Sequence, residues 1–138
     1  MKVSSGDISL DELQPSQLFI NREKLAEVMR SFDAESMEPI PVIRLGNRTV
    51  LTDGHTHALA AFLHRLTDVP VYWDEDELDL EAYQICVGWC EQEGVRRVAD
   101  LKDRLLAPAQ YELMWIKRCQ AMLHELEHKR GHCRCSSE

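Results

Sequence analysis

After Asn21, a good helix N-cap, the apolar residues Leu25, Val28, Met29 and Phe32 recur three and four apart, the spacing of one helical face. The preceding "PSQLFI" reads as a short extended piece. Next, "PIPVIRLGNRTVLT" sets two β-branched runs around Gly46-Asn47, a two-residue turn of the kind hairpins favour. Strand alternation puts Ile43 and Leu45 on one face and Val42 and Arg44 on the other, and Asp53-Gly54 closes the second strand. From His55 the pattern returns to helical, with Ala58, Leu59, Phe62, Leu63 and Leu66 on one stripe, and "VPVYW" follows as a strand. Pro70 in that strand predicts an edge position or a strand start. Two strands, a helix and a third strand predict an α/β (α+β) core with a small mixed sheet and the helix across one sheet face.

The second half is helical. "WDEDELDLEAYQICVGWCEQEG" places six acids between Asp74 and Glu81, which suits a solvated turn and an acidic helix start capped by Asp79, with Gly94 as the stop. Divalent metal is the sharper reading of those acids, but nothing in their spacing fixes a geometry. A short helix around Val98 to Leu105 follows, and Pro108 then opens a long helix striped by Tyr111, Met114, Trp115, Cys119, Met122 and Leu126. That stripe suits core or dimer packing, and Gly131 is expected to end the helix. The predicted organisation is an α/β core over residues 1–76, a helical segment packed on it over 77–130 and a flexible tail over 131–138. Three helices in a row could mimic a helix-turn-helix, but no side-chain pattern singles out a recognition helix.

At 138 residues and 44% hydrophobic content the chain suits one compact domain. The five cysteines are an odd number clustered late, so reduced thiols are expected, with Cys86 and Cys90 as small buried apolar groups. No run approaches the ~20 apolar residues of a membrane span, and "MKVSSGDISLDEL" has no apolar signal-peptide region, so a cytoplasmic protein without membrane contact is expected. The net charge of −8 is uneven: residues 1–95 hold 18 acids and 7 Lys/Arg, residues 96–138 hold 6 acids and 9 Lys/Arg. The acidic front disfavours an extended DNA-binding face. In the tail, His124, His128, His132, Cys133 and Cys135 offer zinc-ligand chemistry, but Cys-x-Cys is not a standard finger spacing and zinc there is not expected.

The stretch "LTDGHTHALAAFL" joins a strand exit, a glycine, free helix-start amides, a hydroxyl and two imidazoles, which are the parts of a phosphate site. Thr56 can donate a hydroxyl hydrogen, and His55 and His57 can donate in the right tautomer. The simpler reading has Asp53 or Thr52 capping the helix beside solvated histidines, and the Asp53 charge repels an anion unless a metal or proton offsets it.

"PIPVIRLGNRTVLTDGHTHALAAFLHRLTDVPVYW", Pro39 to Trp73, resembles the core of the ParB/sulfiredoxin superfamily. In that family a Pro-Ile-Val-rich strand, a hairpin, a Gly-centred turn and an Ala-rich helix lead to a Val-Pro-Val strand. "DISLDELQPSQLFINREKLAEVMRSF" is similar to the family's opening strand and helix, so the likeness spans about residues 7–74. The resemblance implies a nucleotide-phosphate site lined by Gly54, His55, Thr56 and His57, with Asp53 orienting a hydroxyl or binding Mg²⁺. It also implies a catalytic set of Glu38, Asp53 and His55, Glu38 standing where members resembling free-serine kinases carry an acid. The chain departs from the pattern at His57, where the family usually has arginine, and at Thr56, which replaces a second histidine. No cysteine follows Gly54, which argues against the sulfiredoxin reaction, and the partition proteins' paired arginines are absent.

Two functions follow as expectations. One is an ATP- or ADP-dependent phosphotransferase or hydrolase working with Mg²⁺. The alternative is a non-enzymatic DNA- or protein-interaction module, with homo-oligomerisation through the C-terminal helix.

Overall fold

The computed structural model describes the backbone of residues 3–135 and the side chains of residues 3–131. In chain order come strands β1 (Gly6–Ser9), β2 (Leu13–Gln14) and β3 (Ile20–Asn21), helix α1 (Arg22–Ser31), strands β4 (Ile40–Leu45) and β5 (Arg48–Leu51), and helix α2 (His55–Leu63). Strand β6 (Asp68–Trp73), helix α3 (Leu80–Gln92), strand β7 (Leu105–Leu106) and helices α4 (Pro108–Tyr111) and α5 (Lys117–Cys135) complete the chain. A π-helical stretch, Glu112–Ile116, joins α4 to α5 without a break. The fold is mixed α/β, a five-stranded sheet of order β1-β6-β4-β5-β2 wrapped by helices, with a separate two-stranded pairing of β3 and β7.

The Gly46-Asn47 turn folds β5 back on β4, with Leu45 opposite Arg48, and Gly46 supplies the positive φ of 61°. The chain then crosses through α2 and returns as β6, parallel to β4 with Ile40 beside Val71. Asn21 caps α1 by accepting from the amides of Glu23 and Lys24, and Asp79 caps α3 through Ala82. Gly94, at φ 78°, ends α3 as its sequence position predicts, and Val95 N–H reaches back to the Cys90 carbonyl at 2.7 Å.

Four expectations need correction. Strand β6 is interior, between β1 and β4, so Pro70 is not on an edge; the ladder to β4 begins only at Val71, and the missing N–H falls where β4 has not started. In α2, Leu63 is 40% exposed while Ala58, Leu59, Ala60 and Ala61 are all fully buried. The helix is enclosed by the sheet, by α1 and by the 3-10 turn Val98–Asp103, so small residues rather than a leucine stripe decide how closely it packs. In the C-terminal helix Met114 is 44% exposed and Ile116 packs against the core in its place. The wider π turn advances the helix phase there, and the spacing rule for an α-helix then misplaces one residue. Finally, α5 runs through Gly131 to Cys135 rather than ending at the glycine.

The alternation on β4 is as predicted. Val42 joins the main core with Leu51, Leu59 and Val69, while Ile43 lies on the other face with Val50 and Val87 of α3. Cys90, Val98, Leu101 and Trp115 belong to the same main cluster as the sheet residues. The later helices are therefore built into the core that residues 1–76 begin. Two more ties bind the halves: β3 pairs with β7, Ile20 beside Leu105, and Arg130 holds Asp79 through a bidentate pair at 2.8 and 3.0 Å. Removing the central side chain tests this arrangement. Leu59→Ala leaves a cavity where α2 meets its neighbours, and denaturant unfolding should show a loss of about 2–5 kcal/mol with the m-value unchanged.

Candidate functional site

Gly54 makes the turn from the sheet into α2. Its φ of 75° favours glycine, and a Cβ there would sit 3.1 Å from Cγ2 of Ile40. The helix starts with no side-chain cap on its first turn. Ala58 N–H makes the first helical bond, to the Gly54 carbonyl at 2.9 Å, so the amides of His55, Thr56 and His57 have no partner within the helix. Those amides carry the positive end of the helix dipole, the basis for holding an anion. Asp53 does not cap them; its Oδ1 accepts from the Gly54 amide at 2.8 Å, and the side chain stays exposed.

Beside this helix start lies an open cleft of about 440 Å³, lined by Phe32, Asp33, Glu38, Ile40, Gly54 and His57 among others. Three residues singled out in the sequence therefore meet: Gly54 and His57 from α2, and Glu38 from the loop leading into β4. Asp53 does not line the cleft. Asp33 and Phe32, at the end of α1, are walls that the sequence reading did not select. Phe32 stacks on His64 with ring centroids 4.5 Å apart, which fixes the wall in place. Mg²⁺ commonly binds through one or two carboxylates together with substrate phosphates, and Asp33 and Glu38 are the carboxylates that could serve it here.

His55 does not join this group. It is 4% exposed, and its Nε2 accepts the Ser16 amide hydrogen at 2.9 Å, while the Ser16 hydroxyl donates to the Leu51 carbonyl at 2.6 Å. Burial pushes its pKa down to about 4, with the nearby Asp53 charge opposing, so the ring is neutral with its proton on Nδ1. No hydrogen-bond partner meets that buried Nδ1. The ring lines a second cavity, of about 330 Å³, together with Ser16, Tyr83, Cys86, Trp115 and Cys119. Thr56 is 7% exposed. The expectation that His55 and Thr56 offer side chains to a phosphate is corrected by this burial. The sequence held the signal: residues two apart on a helix point about 200° apart, so His55 and His57 cannot face one ligand.

Asp74 and Asp79 of the acidic run after β6 are spent on local structure. Asp74 accepts from the Thr52 hydroxyl at 2.9 Å, and Asp79 caps α3 and pairs with Arg130, which holds its carboxyl below the usual range. Among the described residues no cluster of three or more His, Cys, Asp or Glu side chains is arranged to hold a metal ion. His124 and His128 are exposed on α5, and the side chains of His132, Cys133 and Cys135 lie outside the described residues.

No protein-family model matches the chain, and no curated protein matches it. Among solved structures it is similar to protein Atu1540 from Agrobacterium tumefaciens, at a TM-score of 0.49 and 16% identity over 70% of this chain. The chain spans about 60% of that protein's length.

The buried imidazole makes a stability prediction. The unfolded chain takes up a proton near pH ~6.5 and the folded ring only near pH 4, so between those values the unfolded state binds more protons. The contribution of neutral His55 is complete above pH ~6.5 and is lost as pH falls toward 4, amounting to about 3 kcal/mol by the linkage relation. In urea titrations across this range, His55→Gln should show a shallower loss of stability than the wild type. An equal slope in the two proteins counts against a buried neutral histidine.

Proposed function

We propose that the chain binds a nucleotide, ATP or ADP with Mg²⁺, placing its phosphates at the start of α2. One observation carries this reading: α2 opens without a side-chain cap beside a cleft in which Gly54, His57 and Glu38 converge. The unpaired amides supply donors, and Gly54 lets a ligand approach the backbone. His57, exposed at the third helical position, is the side chain that takes the place of an arginine clamp. Asp33 and Glu38 add negative charge, which a divalent cation between carboxylates and phosphates offsets. Phe32 gives the cleft an aromatic wall. If phosphoryl transfer follows binding, Glu38 is the group to take the proton from an accepting hydroxyl or water, and the amide donors stabilise charge on the transferred group. Asp53, bound to the Gly54 amide, shapes the turn; His55 fixes it from behind by holding Ser16.

The resemblance to ParB/sulfiredoxin proteins supports the same place for phosphate, on sequence pattern alone. A second reading, a non-enzymatic interaction module, is favoured by one feature: Leu113, Met114 and Leu123 are large apolar side chains exposed on the C-terminal helix.

Calorimetry separates the two. Wild-type protein should bind ADP or ATP in the presence of Mg²⁺, and His57→Ala should weaken that binding about tenfold, or ~1.4 kcal/mol. Glu38→Gln should weaken the Mg²⁺ dependence of nucleotide binding and abolish any turnover. Absence of binding by the wild type, or unchanged affinity in His57→Ala, sinks the nucleotide reading.

A further inference from the structure

The second cavity, on the opposite side of the α2 start from the phosphate cleft, brings together two thiols from different helices. Cys86 comes from α3 and Cys119 from α5, and both line the cavity wall. Neither is in a disulfide, and each thiol shifts the ionisation of the other. The two helices are held together around them. Trp89, one turn along α3, meets Trp115 edge-to-face at 6.0 Å and 83°, and the Arg118 guanidinium lies 4.0 Å over the Trp89 ring. Helix α5 is also tied to α3 at its far end through Arg130 and Asp79.

We propose that Cys86 and Cys119 form a dithiol oxidation site, which a hydroperoxide converts into a disulfide joining α3 to α5. The nucleophile is Cys86. The neighbouring Cys119 thiol holds Cys86 below its ordinary pKa, with burial opposing and the Arg118 cation helping, whereas Cys86 and burial raise Cys119. The third nearby thiol, Cys90, is fully buried, and burial pushes it up to about 12, so it stays protonated. In the first step the Cys86 thiolate attacks one peroxide oxygen, the O–O bond breaks, and the departing hydroxide takes a proton to become water. That leaves a sulfenic acid on Cys86. In the second step the Cys119 sulfur gives up its proton and attacks the Cys86 sulfur, the S–S bond forms, and the sulfenic hydroxyl leaves as water. Two thiols lose two electrons and two protons, and one hydrogen peroxide is reduced to two waters. A small dithiol reductant reverses the reaction. This step is independent of nucleotide binding, since no residue that lines the cavity beside the thiols lines the phosphate cleft.

The test uses the full chain, reduced and then treated with equimolar hydrogen peroxide, with remaining thiols alkylated and the protein digested by trypsin. The expected product has lost the mass of two hydrogens and two alkylatable thiols of its five. It should yield a linked pair of peptides, residues 66–96 with residues 119–129, and fragment ions placing the bridge at Cys86 rather than Cys90. A Cys133→Ser/Cys135→Ser variant should form the same bridge to the same extent. Full alkylation of Cys86 and Cys119 after peroxide, a bridge at Cys90, or loss of the linkage in the tail variant would overturn the proposal.

Discussion

Ala58, Leu59, Ala60 and Ala61 have no exposed surface, so α2 can neither rotate nor slide without driving a side chain into the sheet, α1 or the 3-10 turn at Val98–Asp103. That constraint sets where the helix begins. Gly54 must turn where a Cβ would come within 3.1 Å of Ile40 Cγ2, and His55 must go inward to take the Ser16 amide. The next outward position is His57. The candidate phosphate site is thus what remains of a helix start after packing has claimed every other direction, and its open backbone amides are a by-product of a cap that has no side chain.

The same constraint divides the molecule's chemistry. On one side of the helix start the carboxylates of Asp33 and Glu38 meet an imidazole and unpaired amides, a setting suited to hard oxygen ligands and cations. On the other, His55, Tyr83 and two thiols meet apolar side chains, a setting suited to soft sulfur chemistry. Ser16 shows how firmly the wall between them is built: its amide holds His55 and its hydroxyl holds the Leu51 carbonyl. The cost is one buried Nδ1 hydrogen with no acceptor, which offsets part of what the packing contributes.

The hairpin, the helix caps at Asn21 and Asp79, the Gly94 stop and the opposed faces of Val42 and Ile43 were legible because each rests on local geometry. So were Gly54, His57 and Glu38 as neighbours, although Glu38 comes from a loop and its place depended on a family pattern rather than on periodicity. The interior position of β6 was not legible, because Pro70 speaks only about its own N–H, and the strand that lies beyond, β1, comes from the far end of the sequence. The partner of His55 was hidden for the same reason: 39 residues separate it from Ser16. Asp33 and Phe32 carry no motif and become cleft walls only when α1 packs beside α2.

The π-helical stretch at Glu112–Ile116 places one more residue in a turn than an α-helix does, and everything after it is set to that phase. In that phase Cys119, Met122 and Leu126 face inward with Trp115, and Arg130 reaches Asp79. Deleting one residue from the stretch would give a smoother helix and turn all of these by about 100° away from their partners. The length of the segment is thus a constraint on the fold in its own right, beside the packing that already fixes Trp115 and Ile116.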